Sequence, residues 1–156
     1  MNVVLRLVAS LAVFGMLVSA TAAQEKVEAD KLPQKVKDAV KARFPGHMIT
    51  QATKELENGA VVYDIEMTVG GKKHEMDCKE DGTIVDIQNE IDAKDLPAAA
   101  LNAIKAKYPG STIKEVGEIL VVKDKKETRD HFEVVIETAD KKEMELTVSL
   151  DGSKIE

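Results

Sequence analysis

The sequence predicts an α+β fold made of two tandem repeats, each a helix packed on one face of an antiparallel sheet of about four strands. Three observations carry that expectation. Short motifs recur at a fixed offset, apolar residues fall four apart at the head of each unit, and apolar and polar residues then alternate.

The recurrence comes first, because a missed repeat misreads the whole fold. Leu32-Pro33 returns as Leu96-Pro97, and Phe44-Pro45-Gly46 returns as Tyr108-Pro109-Gly110, both 64 residues later. Between them Ala39, Lys41 and Ala42 return as Ala103, Lys105 and Ala106. Asp81-Gly82 returns as Asp151-Gly152 at an offset of 70. The extra residues are expected in loops, chiefly 124–130. The division that follows is a leader over 1–23, a first repeat over 24–91 and a second over 92–156.

Each unit opens on a helix. Pro33 and Pro97 suit the first helical position, where a missing N–H costs nothing. Val36, Val40 and Phe44 share one helical face, as do Ala100, Ile104 and Tyr108. Pro45-Gly46 and Pro109-Gly110 stop the helices. Strands follow. Val61, Tyr63, Ile65, Met67 and Val69 alternate with Val62, Asp64, Glu66 and Thr68, which puts the first set on the buried face. Gly70-Gly71 reads as a two-residue hairpin turn. His74, Met76 and Cys78 continue inward, and Val85 and Ile87 begin a last strand. In the second unit Phe132, Val134 and Ile136 point inward, then Met144, Leu146, Val148 and Leu150. Residues 49–56 and 113–122 read as first strands of weak alternation. The link from Gln88 to Asp95 is short, so the two sheets should sit close and could continue as one surface.

Composition limits function. Of 156 residues, 22 are Lys or Arg and 28 are Asp or Glu, a formal net charge of −6, which argues against a nucleic-acid binder. One cysteine excludes an internal disulfide framework. Met1 to Ala23 has the order of a secretory signal peptide: Arg6, an apolar run over Leu7–Val18, then Ala20-Thr21-Ala22. That run is shorter than the roughly 20 residues of a membrane span. The mature protein is therefore expected in the periplasm or secreted, with no membrane attachment after cleavage.

Asp95-Leu96-Pro97, Ala103-Ile104, Tyr108-Pro109-Gly110, Ile113, the strand led by Tyr63 and Asp81-Gly82-Thr83-Ile84 together resemble the PepSY-like family of exported bacterial proteins. The resemblance runs from about Leu32 to Glu156. It implies an architecture like that of the secreted β-lactamase inhibitor protein. It also implies inhibition of, or docking onto, an extracytoplasmic hydrolase or peptidase, and it brings no catalytic residues. Two features differ from a strong inhibitor. The mature aromatics Phe44, Tyr63, Tyr108 and Phe132 all fall on core faces, whereas tight interfaces rest on exposed aromatic or Arg anchors. The second unit also ends soon after Gly152, so its last strand is short or missing and leaves an exposed edge.

No catalytic, cofactor or metal residue is assigned. His74 and Cys78 share a strand face and could ligate a soft metal, but Met144 and Val148 stand at the matching places of the second unit, which favours core roles. The outward carboxylates Asp64, Glu66, Glu75 and Asp77, with Glu133, Glu137, Glu143 and Glu145, form either a platform for a basic peptide or divalent cation or a plain solvated face. The segment Lys123–Asp130 reads as an inserted loop with Arg129 as its best anchor. The partner-binding candidates are thus Lys125, Arg129, Asp130, Glu66, Glu75, Glu133 and Glu143. The expected partner is an unidentified exported protein or peptide, with a divalent cation as the alternative. The expected function is a non-enzymatic exported binding protein; the alternative is an acidic cation-binding envelope module.

Overall fold

The computed structural model describes residues 25–156 with Asn58 excepted, so the expected leader lies outside the described residues. In chain order the elements are β1 (Glu25–Lys26), α1 (Gln34–Arg43), β2 (Met48–Glu57), β3 (Ala60–Val69), β4 (Lys72–Lys79), β5 (Ile84–Glu90), α2 (Ala98–Lys107), β6 (Thr112–Lys123), β7 (Lys126–Glu137) and β8 (Glu143–Ser149).

The expectation of two units, each a helix on its own four-stranded sheet, is overturned. All eight strands form one antiparallel sheet in the order β1 to β8, and among the described residues two α-helices of ten residues each, with short 3-10 turns at Ala29–Lys31 and Ala93–Asp95, accompany it. The reason is a seam in the middle. Asp86 to Glu90 on β5 pair with Val121 to Gly117 on β6, so neither half keeps a free edge where they meet. Unpaired edges invite further pairing, and here each half caps the other.

Both helices lie on the same face. The first core packs Val36 and Val40 of α1 with Tyr63, Ile65, Met67, Met76, Cys78 and Ile87. Leu120 of β6 joins it from across the seam, directly opposite Ile87. The second core packs Ala100 and Ile104 of α2 with Phe132, Val134, Ile136, Leu146 and Val148. Phe44, Tyr63 and Phe132 are buried and Tyr108 is half-buried, so the aromatics do face the core.

Local chemistry explains the recurring motifs. Phe44 and Tyr108 each end a helix with the same backbone angles, φ −127° and ψ 70°. Gly46 and Gly110 follow at φ 79° and 78°, and the N–H groups of His47 and Ser111 donate to the carbonyls of Phe44 and Tyr108 at 3.2 Å. Proline then positive-φ glycine is the chemistry of a type II turn. Pro33 and Pro97 stand one place before the first helical residue, with their carbonyls accepting from Lys37 and Leu101 at 3.0 Å. The Asp-Gly pairs have a tertiary role. Asp81 and Asp151 each accept the backbone N–H two residues on, at 2.9 and 3.0 Å. Gly82 and Gly152 then lie against the helices: a Cβ on Gly82 would come within 2.9 Å of the Lys35 carbonyl, and one on Gly152 within 2.7 Å of the Ala99 carbonyl.

Three further expectations change. Lys123–Asp130 is not a loop: β6 and β7 run through it, and only Asp124-Lys125 turn, both at positive φ (51° and 62°). That is the backbone of a type I′ hairpin turn without its usual glycine. Val61, Met144 and Leu150, expected inward, are exposed, while Val62 on the opposite face is buried. The last strand is short, yet the edge of β8 is partly covered: Thr147 and Glu156 exchange backbone hydrogen bonds at 3.0 Å, and Ser149 donates to Lys154 at 3.0 Å.

The glycines make a testable contrast. Gly82 and Gly59 both hold positive φ, but nothing lies within 4 Å of a Cβ on Gly59. Gly59→Ala should cost about 1 kcal/mol from the left-handed backbone alone. Gly82→Ala should cost roughly 1–3 kcal/mol more, because the helix must yield. Urea denaturation measures both, and equal losses would remove the close-approach explanation.

Candidate functional site

The face of the sheet away from the helices curves into a trough. Register shifts fall at Ile49/Gln51, Asp77/Cys78, Ile113/Glu115 and Ile119/Leu120, and bulges of this kind bend strands and sharpen their twist. Thr50 on β2 and Glu143 on β8, six strands apart in the sheet, line one cavity of about 530 Å³.

Strand alternation decides what lines it. Glu66 of β3, Glu75 of β4, Glu133 of β7, and Glu143 and Glu145 of β8 all face the cavity. Four of the sequence candidates, Glu66, Glu75, Glu133 and Glu143, are thereby brought together from both halves of the chain. Glu90 and Glu115 join them from either side of the seam. Sequence reasoning missed these two: Glu115 follows the bulge that breaks the β6 alternation, and nothing local announces the β5–β6 pairing. The floor includes Gly117, Gln88 and Val135. Gly117 leaves room for the Gln88 side chain, since a Cβ there would lie 2.6 Å from the Gln88 amide nitrogen.

One cation sits at this rim. The Lys73 ammonium donates to Glu115 at 3.0 Å, and its backbone N–H donates to Glu90 at 2.6 Å. The hydrogen bond to Glu115 holds the Lys73 pKa above the ordinary lysine value against a smaller lowering by burial. Glu145 is shifted the other way for a carboxylate: desolvation raises its pKa, and the charge of Glu133 adds to it. Both directions follow from the crowding of carboxylates along this rim, although the Lys73, Glu115 and Glu145 side chains all remain exposed.

A second group of carboxylates lies on the same face. Asp64, Asp77 and Asp86 stand abreast on β3, β4 and β5, each directly opposite the next. Asp77 has no exposed surface at all, so the expectation of a solvated outer face fails at this position. Asp64, Glu75 and Asp77 offer carboxylate oxygens that all lie within 4.8 Å of one another. Like charges placed opposite one another repel, and oxygen-only ligands suit calcium or magnesium rather than softer metals.

The remaining candidates stand elsewhere, and none of Lys125, Arg129 and Asp130 lines the cavity. Lys125 is in the β6–β7 turn, Arg129 pairs with Glu118 at 2.5 Å, and Asp130 accepts from the His131 ring at 2.9 Å. The arm they belong to is braced from α1, where Arg43 donates to both Glu127 oxygens at 2.7 and 3.0 Å. His74 and Cys78 are on the core face: the His74 ring lies 4.9 Å from that of Phe44, its Nδ1 is 2.9 Å from the Asn89 side-chain oxygen, and Cys78 is fully buried.

Residues 33–95 match the family model described as peptidase propeptide and YPEB domain, PepSY. No curated protein matches the chain in sequence. Among solved structures the fold is similar to that of a BLIP-like protein from Bacteroides fragilis, at 22% identity and TM-score 0.52 over 78% of this chain and 82% of that one. It is similar also to a protein from Bacteroides eggerthii described as periplasmic, at 15% identity and TM-score 0.59 over 80% and 87%. A DUF2874 family protein from Bacteroides uniformis gives 16% and 0.57 over 80% and 88%.

Two titrations test the geometry. Burial pushes the Cys78 thiol up to about 11, with the Asp81 charge adding to it, so native protein should resist a thiol reagent at pH 8 that labels it fully in urea; equal labelling rates would contradict the buried placement. The Glu133 carboxylate, 3.8 Å from the ring Nε2, helped by Asp130, raises the pKa of His131 against its burial. A raised folded pKa means the stabilisation is complete below the ordinary value of 6.5 and is lost as pH rises through the folded value. NMR should place the His131 midpoint above 6.5, and His131→Gln should flatten stability across that window.

Proposed function

We propose that this chain, a PepSY-like protein of BLIP-like fold, is a non-catalytic binding module of the periplasm that docks an extracytoplasmic hydrolase or peptidase with the open face of its sheet. The observation that carries the reading is the trough itself: a cavity of about 530 Å³ lined from β2 to β8, concave as ligand sites usually are and built on strands rather than loops. Docking on such a surface uses a rigid scaffold and loses little entropy. The periplasmic place is supported by the described relative from Bacteroides eggerthii and by the leader-like order of residues 1–23. Among the described residues no helix is long and apolar enough to cross a membrane. The braced β6–β7 arm, with Lys125 at its turn, offers a second contact beside the trough.

A photo-crosslinking residue tests the docking face. Placed at Val135 in the trough, it should capture a discrete exported partner in intact cells. Placed at Lys105 on the exposed side of α2, it should not. Capture from both positions alike, or from neither, would count against the open face as the docking surface.

The carboxylate triplet favours a second reading, in which Asp64, Glu75 and Asp77 hold a divalent cation and the chain is an acidic cation-binding module of the envelope. Binding to the folded state raises the melting temperature by mass action. About 5 mM calcium should then raise it in the wild type and leave Asp77→Asn unmoved. A wild-type melt indifferent to calcium, magnesium and zinc would end this reading.

A further inference from the structure

The chemistry of the trough narrows the class of partner, and this step rests on the docking reading above. The rim residues Glu66, Glu75, Glu90, Glu115, Glu133, Glu143 and Glu145 converge on one cavity, and among the described residues that line it Lys73 is the only lysine or arginine. Charge of one sign within low-dielectric walls focuses the field and attracts the opposite sign. The floor is not charged: Val135 and Gly117 lie there, and Ile119, two places along β6 from Gly117, is nearly buried on the same face.

Lys73 shows which chemistry the rim accepts. Its ammonium, carried on a strand of this same chain, is seated on Glu115 at 3.0 Å. Its attraction extends to Glu90 and Glu66, and the remaining carboxylates lie farther along the cavity toward β7 and β8. Burial and the neighbouring charge of Glu133 act together on Glu145, so the crowding at that end would be relieved by an incoming cation.

We propose that the trough binds an extended basic segment of a partner protein, its lysine or arginine side chains on one side of the segment reaching the Glu133, Glu143 and Glu145 end, with their aliphatic stems passing over Val135. Side chains of an extended segment alternate with a period of two and repeat on one side about every 7 Å. A segment with lysine or arginine at every second place can therefore present several cations to the rim at once. Arginine suits the carboxylates best, because its planar fork bonds them in pairs.

The test uses the full mature chain and a defined probe, a fluorescent capped peptide Ala-Lys-Ala-Arg-Ala-Lys. Its binding is followed by anisotropy at low and at physiological salt. The wild type should bind it saturably and should ignore the same peptide with glutamate in place of each basic residue. Glu133→Gln/Glu143→Gln/Glu145→Gln should weaken binding about tenfold or more, the equivalent of about 1.4 kcal/mol. Asp38→Asn/Asp95→Asn/Asp124→Asn removes the same charge from exposed positions outside the trough and should weaken it less than about twofold, since distant exposed charges are screened. Val135→Arg, which places a guanidinium of the chain's own in the cavity, should abolish it. Melting curves confirm that each variant folds. Equal weakening by the two triple variants would reduce the effect to general attraction by an acidic protein and overturn the proposal, as would a wild type that does not saturate. Crosslinking from Val135 that succeeds while the basic peptide fails would leave the docking face standing and refute only its cationic occupant.

Discussion

The pairing of β5 with β6 is the contact on which the rest of the structure depends. Five residue pairs, Asp86–Glu90 against Val121–Gly117, join two halves that each carry one helix. A half of about 60 residues buries too little surface to be more than marginally stable. The seam removes two open edges and lets Leu120 of the second half enter the core of the first opposite Ile87. Both helices end up on one face as a consequence, and among the described residues no helix covers the other face of the eight strands.

That uncovered face would be an ordinary solvated surface if the sheet were open and gently twisted. Bulges at Ile49/Gln51 and Ile113/Glu115, at matching places on β2 and β6, and at Asp77/Cys78 and Ile119/Leu120 near the middle give it more curvature. Curvature turns a row of exposed glutamates into a convergent set. It also brings Asp77 wholly out of water beside Asp64 and Asp86. Acidic residues on an outer face normally serve solubility; gathered in a concavity, they present charge of one sign to whatever enters it. The docking and cation readings draw on this one property and differ in which carboxylates meet the cation.

The helix side answers to packing alone. Cys78 and His74 share its face with methionine, isoleucine and tyrosine side chains, and a thiol whose ionisation is suppressed by burial is an inert core residue. The Arg43–Glu127 fork crosses from α1 to the β6–β7 arm, so the arm that looked like an insertion is held as part of the scaffold.

How far the chain could be read from its residues follows from the range of the forces involved. The helices over Gln34–Arg43 and Ala98–Lys107, the type II turns after Phe44 and Tyr108, the Gly70-Gly71 hairpin and the inward set led by Tyr63, Ile65 and Met67 depend on neighbours within a few places in sequence, and their residues announced them. The Asp-Gly motifs were visible too, although the helix carbonyls that require glycine at 82 and 152 were not. Val62, Asp77, Met144 and Leu150 depart from simple alternation because burial there is set by curvature and by the neighbouring strands. The joining of the halves into one sheet, the trough and the convergence of Glu90 and Glu115 with Glu133 and Glu143 are likewise decided by pairing between residues some thirty positions apart. The sequence by itself determined the local elements and the sign of the charge on each strand face. Only the tertiary structure decided that those charges meet in one cavity, because convergence depends on sheet curvature and long-range register, which no local pattern encodes.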